Sequence, residues 1–186
     1  MQGAQQNWIE ACINQDPQAQ RYLYETYASQ MYGVCLRYAQ DEAEAQDMLQ
    51  DGFVKVFQNL NRYQDRGSLE GWIRRIMVNT AIDHLRRRKK NQQDVELNET
   101  IVDSEVNDAV DQLEAEFLME LVQSLPDGYR AVFNLYAIEG YSHQEIAQQL
   151  GISEGTSRSQ YTRARGQLQR LIRNAYQQKM VYKDAI

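Results

Sequence analysis

The sequence predicts an all-α protein of two small helical domains joined by an acidic linker. Three observations carry this. Two prolines and ten glycines in 186 residues leave long stretches of good helix formers uninterrupted. Apolar residues recur at helical spacing, and no segment alternates as a half-buried strand would. Charge is partitioned: residues 1–90 carry 12 basic and 11 acidic side chains, residues 91–125 carry no basic and 10 acidic ones, and residues 126–186 carry 8 basic and 5 acidic ones. The net charge of −6 therefore sits in the middle, between two mildly basic segments.

In the first domain, residues 1–90, Asp16 and Pro17 are an N-cap and a first-turn proline opening an aromatic-rich helix to about Tyr38. Acids crowd the first turn of a second helix from Asp41, which carries Ala45, Leu49, Phe53, Val56 and Leu60 on one face. The loop Tyr63-Gln64-Asp65-Arg66-Gly67 follows. Ser68 then caps a helix whose buried side is Leu69, Trp72, Ile73, Ile76, Thr80 and Ala81, running into Arg86-Arg87-Arg88-Lys89-Lys90. On it, Arg75, Asn79, Ile82 and Arg86 form a stripe opposite Trp72, Ile76 and Thr80, extended by Arg74. Cations with one amide suit a nucleic-acid strand, whose phosphates need neutralising and whose bases need hydrogen bonds. A basic cap for the helix dipole accounts for the terminal block but not for Arg75 or Asn79. Tyr63 and Trp72 offer stacking faces for unpaired bases, although Trp72 lies among apolar residues as a core residue would.

Residues 91–107 hold five large apolar residues, too few to offset the entropy of ordering them, and read as a linker. The second domain, residues 108–186, opens with a helix from Asp108 striped by Val110, Leu113, Phe117, Leu121 and Val122 and ending at Leu125-Pro126. Another carries Val132, Phe133, Leu135, Tyr136 and Ile138 up to Glu139-Gly140. Residues 142 to about 174 then read as a helix-turn-helix. Ser142 and Glu145 form a capping box, with Ile146, Ala147 and Leu150 facing inward. Gly151 supplies a left-handed turn residue, Ile152 plugs the junction and Ser153 caps the next helix.

On a helical wheel of residues 157–175, Ser157, Tyr161, Ala164, Leu168, Leu171, Ile172 and Ala175 fall within an arc of roughly 100°. Arg158, Arg163, Arg165, Arg170 and Arg173 fall on the other side, within roughly 160°, with no acid in that window. A merely solvated face would intersperse both signs. This one suits a helix entering a major groove, with arginines on phosphates and base edges.

Other function classes fare worse. Two distant cysteines and two histidines build neither a disulfide framework nor a Cys/His metal site, so no catalytic, metal or cofactor site is expected. Using Asp41, Glu42, Glu44, Asp47 and Asp51 as a metal centre would require a Glu-x-x-His partner, which is missing. No apolar run approaches the ~20 residues of a membrane span, and the first residues carry no export signal, so a cytoplasmic protein is expected. An autonomous repressor would leave the basic helix of the first domain unexplained, and a protein-only adaptor would leave the arginine arc so.

The stretch DEAEAQDMLQDGFVKVFQNLNRYQDRGSLEGWIRRIMVNTAIDHLRRR resembles domain 2 of the extracytoplasmic-function sigma factors of bacterial RNA polymerase. The stretch LPDGYRAVFNLYAIEGYSHQEIAQQLGISEGTSRSQYTRARGQL is similar to their domain 4. The resemblance implies a subunit without an active site that binds core polymerase, recruits it to promoters and helps melt the duplex. Its implied partners are the β′ clamp coiled coil and β flap of polymerase, promoter DNA and an anti-sigma factor. It implies that Asp47, Met48, Gln50, Asp51, Phe53 and Val54 dock on polymerase. Tyr63, Arg66, Ser68, Arg74, Arg75, Asn79 and Arg86 would serve the −10 element, and Ser142, Thr156, Arg158, Ser159, Thr162 and Arg163 the −35 element. Two residues depart from the pattern: Ser157 stands where a Val-like residue is usual, and Gln160 where a basic one is frequent. On the wheel Ser157 lies mid-face, where its hydroxyl either bonds back to a carbonyl one turn earlier or is left partly unsatisfied, both poorer than an aliphatic side chain, so Ser157→Val is expected to stabilise the second domain.

Overall fold

The computed structural model describes residues 2–64, 67–92 and 113–183. They fall into two compact units, residues 1–85 and 86–186. Among the described residues every regular element is a helix and none is a strand. The linker, Asp108 and Val110 lie outside the described residues.

The first helix, α1 (Gln2–Ile13), stands ahead of any helix the sequence was expected to form. It ends where Gln15 turns into the left-handed region at φ +63°. Cys12 is buried, and the Trp8 ring meets Tyr22 edge-on at 5.7 Å. Helix α2 (Pro17–Leu36) starts as expected, with the Asp16 carboxylate accepting from the Ala19 N–H at 2.8 Å, and ends slightly early, before the buried Tyr38 and Ala39. At the start of α3 (Glu42–Asn59), Asp41 accepts from the Glu44 N–H at 2.8 Å while the Glu44 carboxylate accepts from the Gln40 N–H at 2.7 Å. Ala45, Leu49, Phe53 and Val56 are buried, as is Leu60 in a 3₁₀ turn (Leu60–Arg62).

Ser68 accepts from the Gly71 N–H at 3.1 Å and opens α4 (Leu69–Gln92). Its buried row is Leu69, Ile73, Met77, Ala81 and Leu85. Val78 and Ile82 form a second buried row one position round, which corrects the placing of Ile82, 2% exposed, on the outward stripe. Trp72 and Ile76 are half-buried, and Thr80 donates back to the Ile76 carbonyl at 2.9 Å. Lys55 pairs with Asp83 and His84 with Asp51, each at 2.9 Å, tying α4 to α3.

In the second unit, α5 (Leu113–Gln123) leads to α6 (Asp127–Phe133), which continues into a π turn (Asn134–Ile138) closed by Glu139 N–H on the Asn134 carbonyl at 3.0 Å. The buried Arg130 guanidinium donates to the Gln123 carbonyl at 2.9 Å and to Asp127 at 2.7 Å, fixing the joint between α5 and α6. Helix α7 (His143–Leu150) and helix α8 (Glu154–Lys183) complete the unit, α8 running further than the expected 174. Leu121, Leu125, Ala164 and Leu168 form the core, with Phe117, Tyr129, Phe133 and Ile172 against it.

Helices α3 and α4 approach closely at Gly52: a Cβ there would lie 2.2 Å from the Met77 sulfur, in a fully buried site. Gly52→Ala should therefore destabilise the first unit only slightly, by under about 1 kcal/mol, because the atoms it meets are the end of the flexible Met77 side chain, whose displacement within the core is largely offset by the helix propensity gained. In a Met77→Ala background the same change should become neutral or stabilising, which denaturant melts would show.

Candidate nucleic-acid interfaces

The turn between α7 and α8 is built as a helix-turn-helix needs. Ser142 Oγ accepts from the Glu145 N–H at 3.3 Å and donates to the Glu145 carboxylate at 2.7 Å, which also accepts the Ser142 N–H at 2.8 Å. Gly151 sits at φ +63°, a conformation that L side chains rarely adopt. The Ile152 N–H then reaches the Ala147 carbonyl at 3.1 Å, and Ser153 Oγ accepts from the Thr156 N–H at 3.0 Å.

Along α8, Ser157, Ala164 and Leu168 are buried and Tyr161, Leu171, Ile172 and Ala175 half-buried, while Arg158, Arg163, Arg165, Arg170 and Arg173 are exposed. Ser157, 0% exposed, does have a partner: its hydroxyl meets His143 Nδ1 at 2.9 Å. The His143 ring stacks on Tyr136 at 4.3 Å and meets Tyr161 edge-on at 5.9 Å. The expectation of a poorly satisfied serine is thus overturned. Its partner lies on another helix, beyond what a wheel of one helix displays. The available signal was that His143 shares a face with Ile146 and Ala147, as a packed residue does. Burial, reinforced by the Arg158 guanidinium and opposed by Glu154, holds the His143 imidazole below its ordinary pKa.

The residues assigned to the −35 element are grouped around this turn. Ser142 is taken up by the cap, and Thr156 Oγ1 bonds Ser153 Oγ at 2.8 Å. Ser159 donates to the Thr156 carbonyl and Thr162 to the Arg158 carbonyl, both at 3.0 Å, leaving their outward lone pairs as acceptors. Arg158 pairs with Glu154 at 2.5 Å, and Arg163 reaches the Tyr129 hydroxyl at 3.4 Å. Gln160 is half-buried against α6, where a Cβ on Gly128 would lie 3.1 Å from its amide nitrogen, so this departure has a packing role.

On α4, Arg75 and Asn79 of the first unit are exposed and Arg74 is half-buried; Arg86, exposed further along the same helix, is the first residue of the second unit. At the head of α4 the Tyr63 ring lies 5.7 Å from Trp72, and the Tyr63 hydroxyl donates to the Gly67 carbonyl at 2.8 Å. Ser68 is exposed beside them; Arg66 lies outside the described residues. Of the residues assigned to docking, Asp47, Gln50, Asp51 and Val54 are exposed on α3. Met48 and Phe53, 0% and 3% exposed, are core residues: they shape that face from beneath and cannot touch a partner, which corrects their assignment. Among the described residues no cluster of His, Cys, Asp or Glu could hold a metal ion, and no helix is long and apolar enough to cross a membrane. Cys35 is buried and its thiol is pushed up to about 12 by burial, so it stays protonated.

Comparison with known proteins gives consistent matches. Family models for sigma-70 region 2 and sigma-70 region 4 match residues 23–91 and 117–168. The chain is 32% identical over 151 residues to the ECF RNA polymerase sigma factor SigE of Mycolicibacterium smegmatis, covering 78% of this chain and 58% of that one. It thus spans under two thirds of that relative's length. It is 30% identical over 173 residues to the RNA polymerase sigma-H factor of Pseudomonas aeruginosa, covering 86% and 89% of the two chains. The sigma factor RpoE of Bartonella quintana, solved with the anti-sigma factor NepR, shares the fold at a TM-score of 0.52 and 20% identity, covering 82% of this chain and 96% of that one.

Two predictions follow from the His143–Ser157 pair. A Val methyl in place of the Ser157 hydroxyl would press on the imidazole and leave Nδ1 unsatisfied, so Ser157→Val should lower stability by about 1–3 kcal/mol in thermal melts. Because the folded state holds the imidazole pKa below its unfolded value of about 6.5, the unfolded chain binds more protons there. Stability should fall as pH drops below that value, and His143→Gln, which keeps a hydrogen-bonding side chain but cannot titrate, should flatten the slope.

Proposed function

The chain belongs to the extracytoplasmic-function group of sigma-70-family RNA polymerase sigma factors, and from that premise we propose which surface performs which task. The first domain, residues 1–90, docks on the β′ clamp coiled coil of core polymerase through the exposed side chains Asp47, Gln50, Asp51 and Val54 of α3. The same domain takes the −10 element on Tyr63, Arg66, Ser68, Arg74, Arg75, Asn79 and Arg86, where aromatic faces stack unpaired bases and arginines hold the backbone. The second domain, residues 108–186, engages the β flap and reads the −35 element with the start of α8. The acidic residues 91–107 join them. The protein works in the cytoplasm, catalyses no reaction of its own, and is held in check by an anti-sigma factor.

The observation that carries this reading is the split of α8 into a buried face and an arginine face, beginning at a capped turn. A helix so fixed can present its first turns to a groove without unfolding anything. The division of labour follows from exposure. Asn79 offers an amide on a surface away from the core, and Val54, 53% exposed, offers apolar area on another helix.

The test is transcription by purified bacterial core polymerase from a promoter library. Asn79→Ala should lower opening or −10 discrimination about tenfold while polymerase binding persists. Val54→Glu should weaken polymerase capture about tenfold by placing a charge in an apolar contact. It is a cleaner probe than reversing Asp51, whose carboxylate is joined to His84. Equal effects of both variants on both readouts would overturn the assignment.

A further inference from the structure

From Glu154 to Lys183, α8 carries seven basic side chains and one acidic one. The acid, Glu154, is the first residue of the helix, and its carboxylate accepts from Arg158 Nη2 at 2.5 Å one turn on. An exposed pair of this kind adds little to stability, and any first-turn carboxylate would satisfy the helix dipole. Neither reason accounts for placing the single acid of the helix where a recognition helix meets base edges.

Charge and geometry supply one. A lone carboxylate facing DNA repels phosphates, whereas Glu154 and Arg158 together are neutral and add nothing to counterion release. What the paired guanidinium gains is orientation: it is a rigid planar fork, and anchoring Nη2 fixes the direction of its remaining donors. Neighbouring hydroxyls do not compete as donors, since Ser159 and Thr162 donate into the helix at 3.0 Å. A fixed fork suits the O6 and N7 acceptors of guanine in a major groove. Resting on the reading of α8 as the −35 helix, we propose that Glu154 is a positioning residue for sequence readout. It holds Arg158 as a neutral, oriented pair, so that Arg158 discriminates one guanine-containing base pair instead of neutralising a phosphate.

The experiment uses holoenzyme assembled from the full chain and bacterial core polymerase, on promoters randomised through the −35 element, at several salt concentrations. Glu154→Gln should lose about tenfold of the preference at one base pair, and Arg158→Ala should lose preference at the same one. Because Glu154→Gln frees a cation, it should also steepen the log–log salt dependence by about one. Glu154→Asp keeps the charge but shortens the reach, so it should lose preference while the salt slope stays unchanged. With Arg158→Ala already present, Glu154→Gln should alter preference at no position. Unchanged preference in Glu154→Gln overturns the proposal, as does an equal effect with and without Arg158, which makes Glu154 a direct reader. If Arg158→Ala changes preference nowhere, the −35 assignment itself fails. Melts of each full-length variant separate these outcomes from misfolding.

Discussion

The rotation of α8 about its own axis is the constraint on which the second unit depends. One face is buried and the other carries five exposed arginines, and a turn of one residue, about 100°, would carry arginines into the core. Ala164 and Leu168 set the angle further along the helix by packing on Leu121 and Leu125. At its start the angle is set by the Ser157–His143 bond, with the imidazole lodged against Tyr136 and Tyr161. Hydrophobic contact is tolerant of small rotations, whereas a buried hydrogen bond at 2.9 Å is directional. Ser157 therefore gives angular definition to the start of α8 that hydrophobic contact alone would not.

The first unit solves the same problem by close approach. Gly52 removes a Cβ where Met77 crosses it, so α3 and α4 meet backbone to side chain, and the Lys55–Asp83 and Asp51–His84 pairs flank the crossing. Burial of two adjacent rows on α4 then leaves a narrow exposed strip, in which Arg75 and Asn79 lie. The outward face of α4 is thus defined by what the core takes from it. Ile82 shows the limit of reasoning from one stripe: the core claims two rows, and Ile82 lies on the second.

What could be read from the sequence followed from periodicity and local capping. The N-caps at Asp16, Ser68 and Ser142, the helix start near Asp41, the left-handed Gly151 and the two faces of α8 are all decided within a few residues of chain. Helix α1 was missed because its polar start hides an apolar edge made by Trp8 and Cys12. The partner of Ser157, the packing of Gln160 on Gly128, and the burial of Met48 and Phe53 were missed or misassigned for a different reason. Each depends on which helix lies opposite, and a single-helix wheel carries no such information. A motif match fails in the same way, since it transfers a segment's role without separating the side chains that touch a partner from those beneath them.

The charge distribution suggests how affinity and specificity are divided. With a net charge of −6 and ten acids within residues 91–125, the chain as a whole is not attracted to DNA. Its basic faces are local, so non-specific binding, which grows with the number of phosphates neutralised, stays weak in the free chain. Such a protein can leave most of its affinity to a partner that brings it to the duplex and keep its own contacts for discrimination. Neutralising Arg158 with Glu154 fits this division, because it gives up a phosphate contact that the chain hardly needs once it is held near DNA. The hydroxyls of Ser159 and Thr162, turned into the helix and presenting acceptors outward, add no positive charge either. The first turns of α8, to which the proposed base readout is assigned, are the least cationic part of its arginine face, and Arg163, Arg165, Arg170 and Arg173 further along provide the charge.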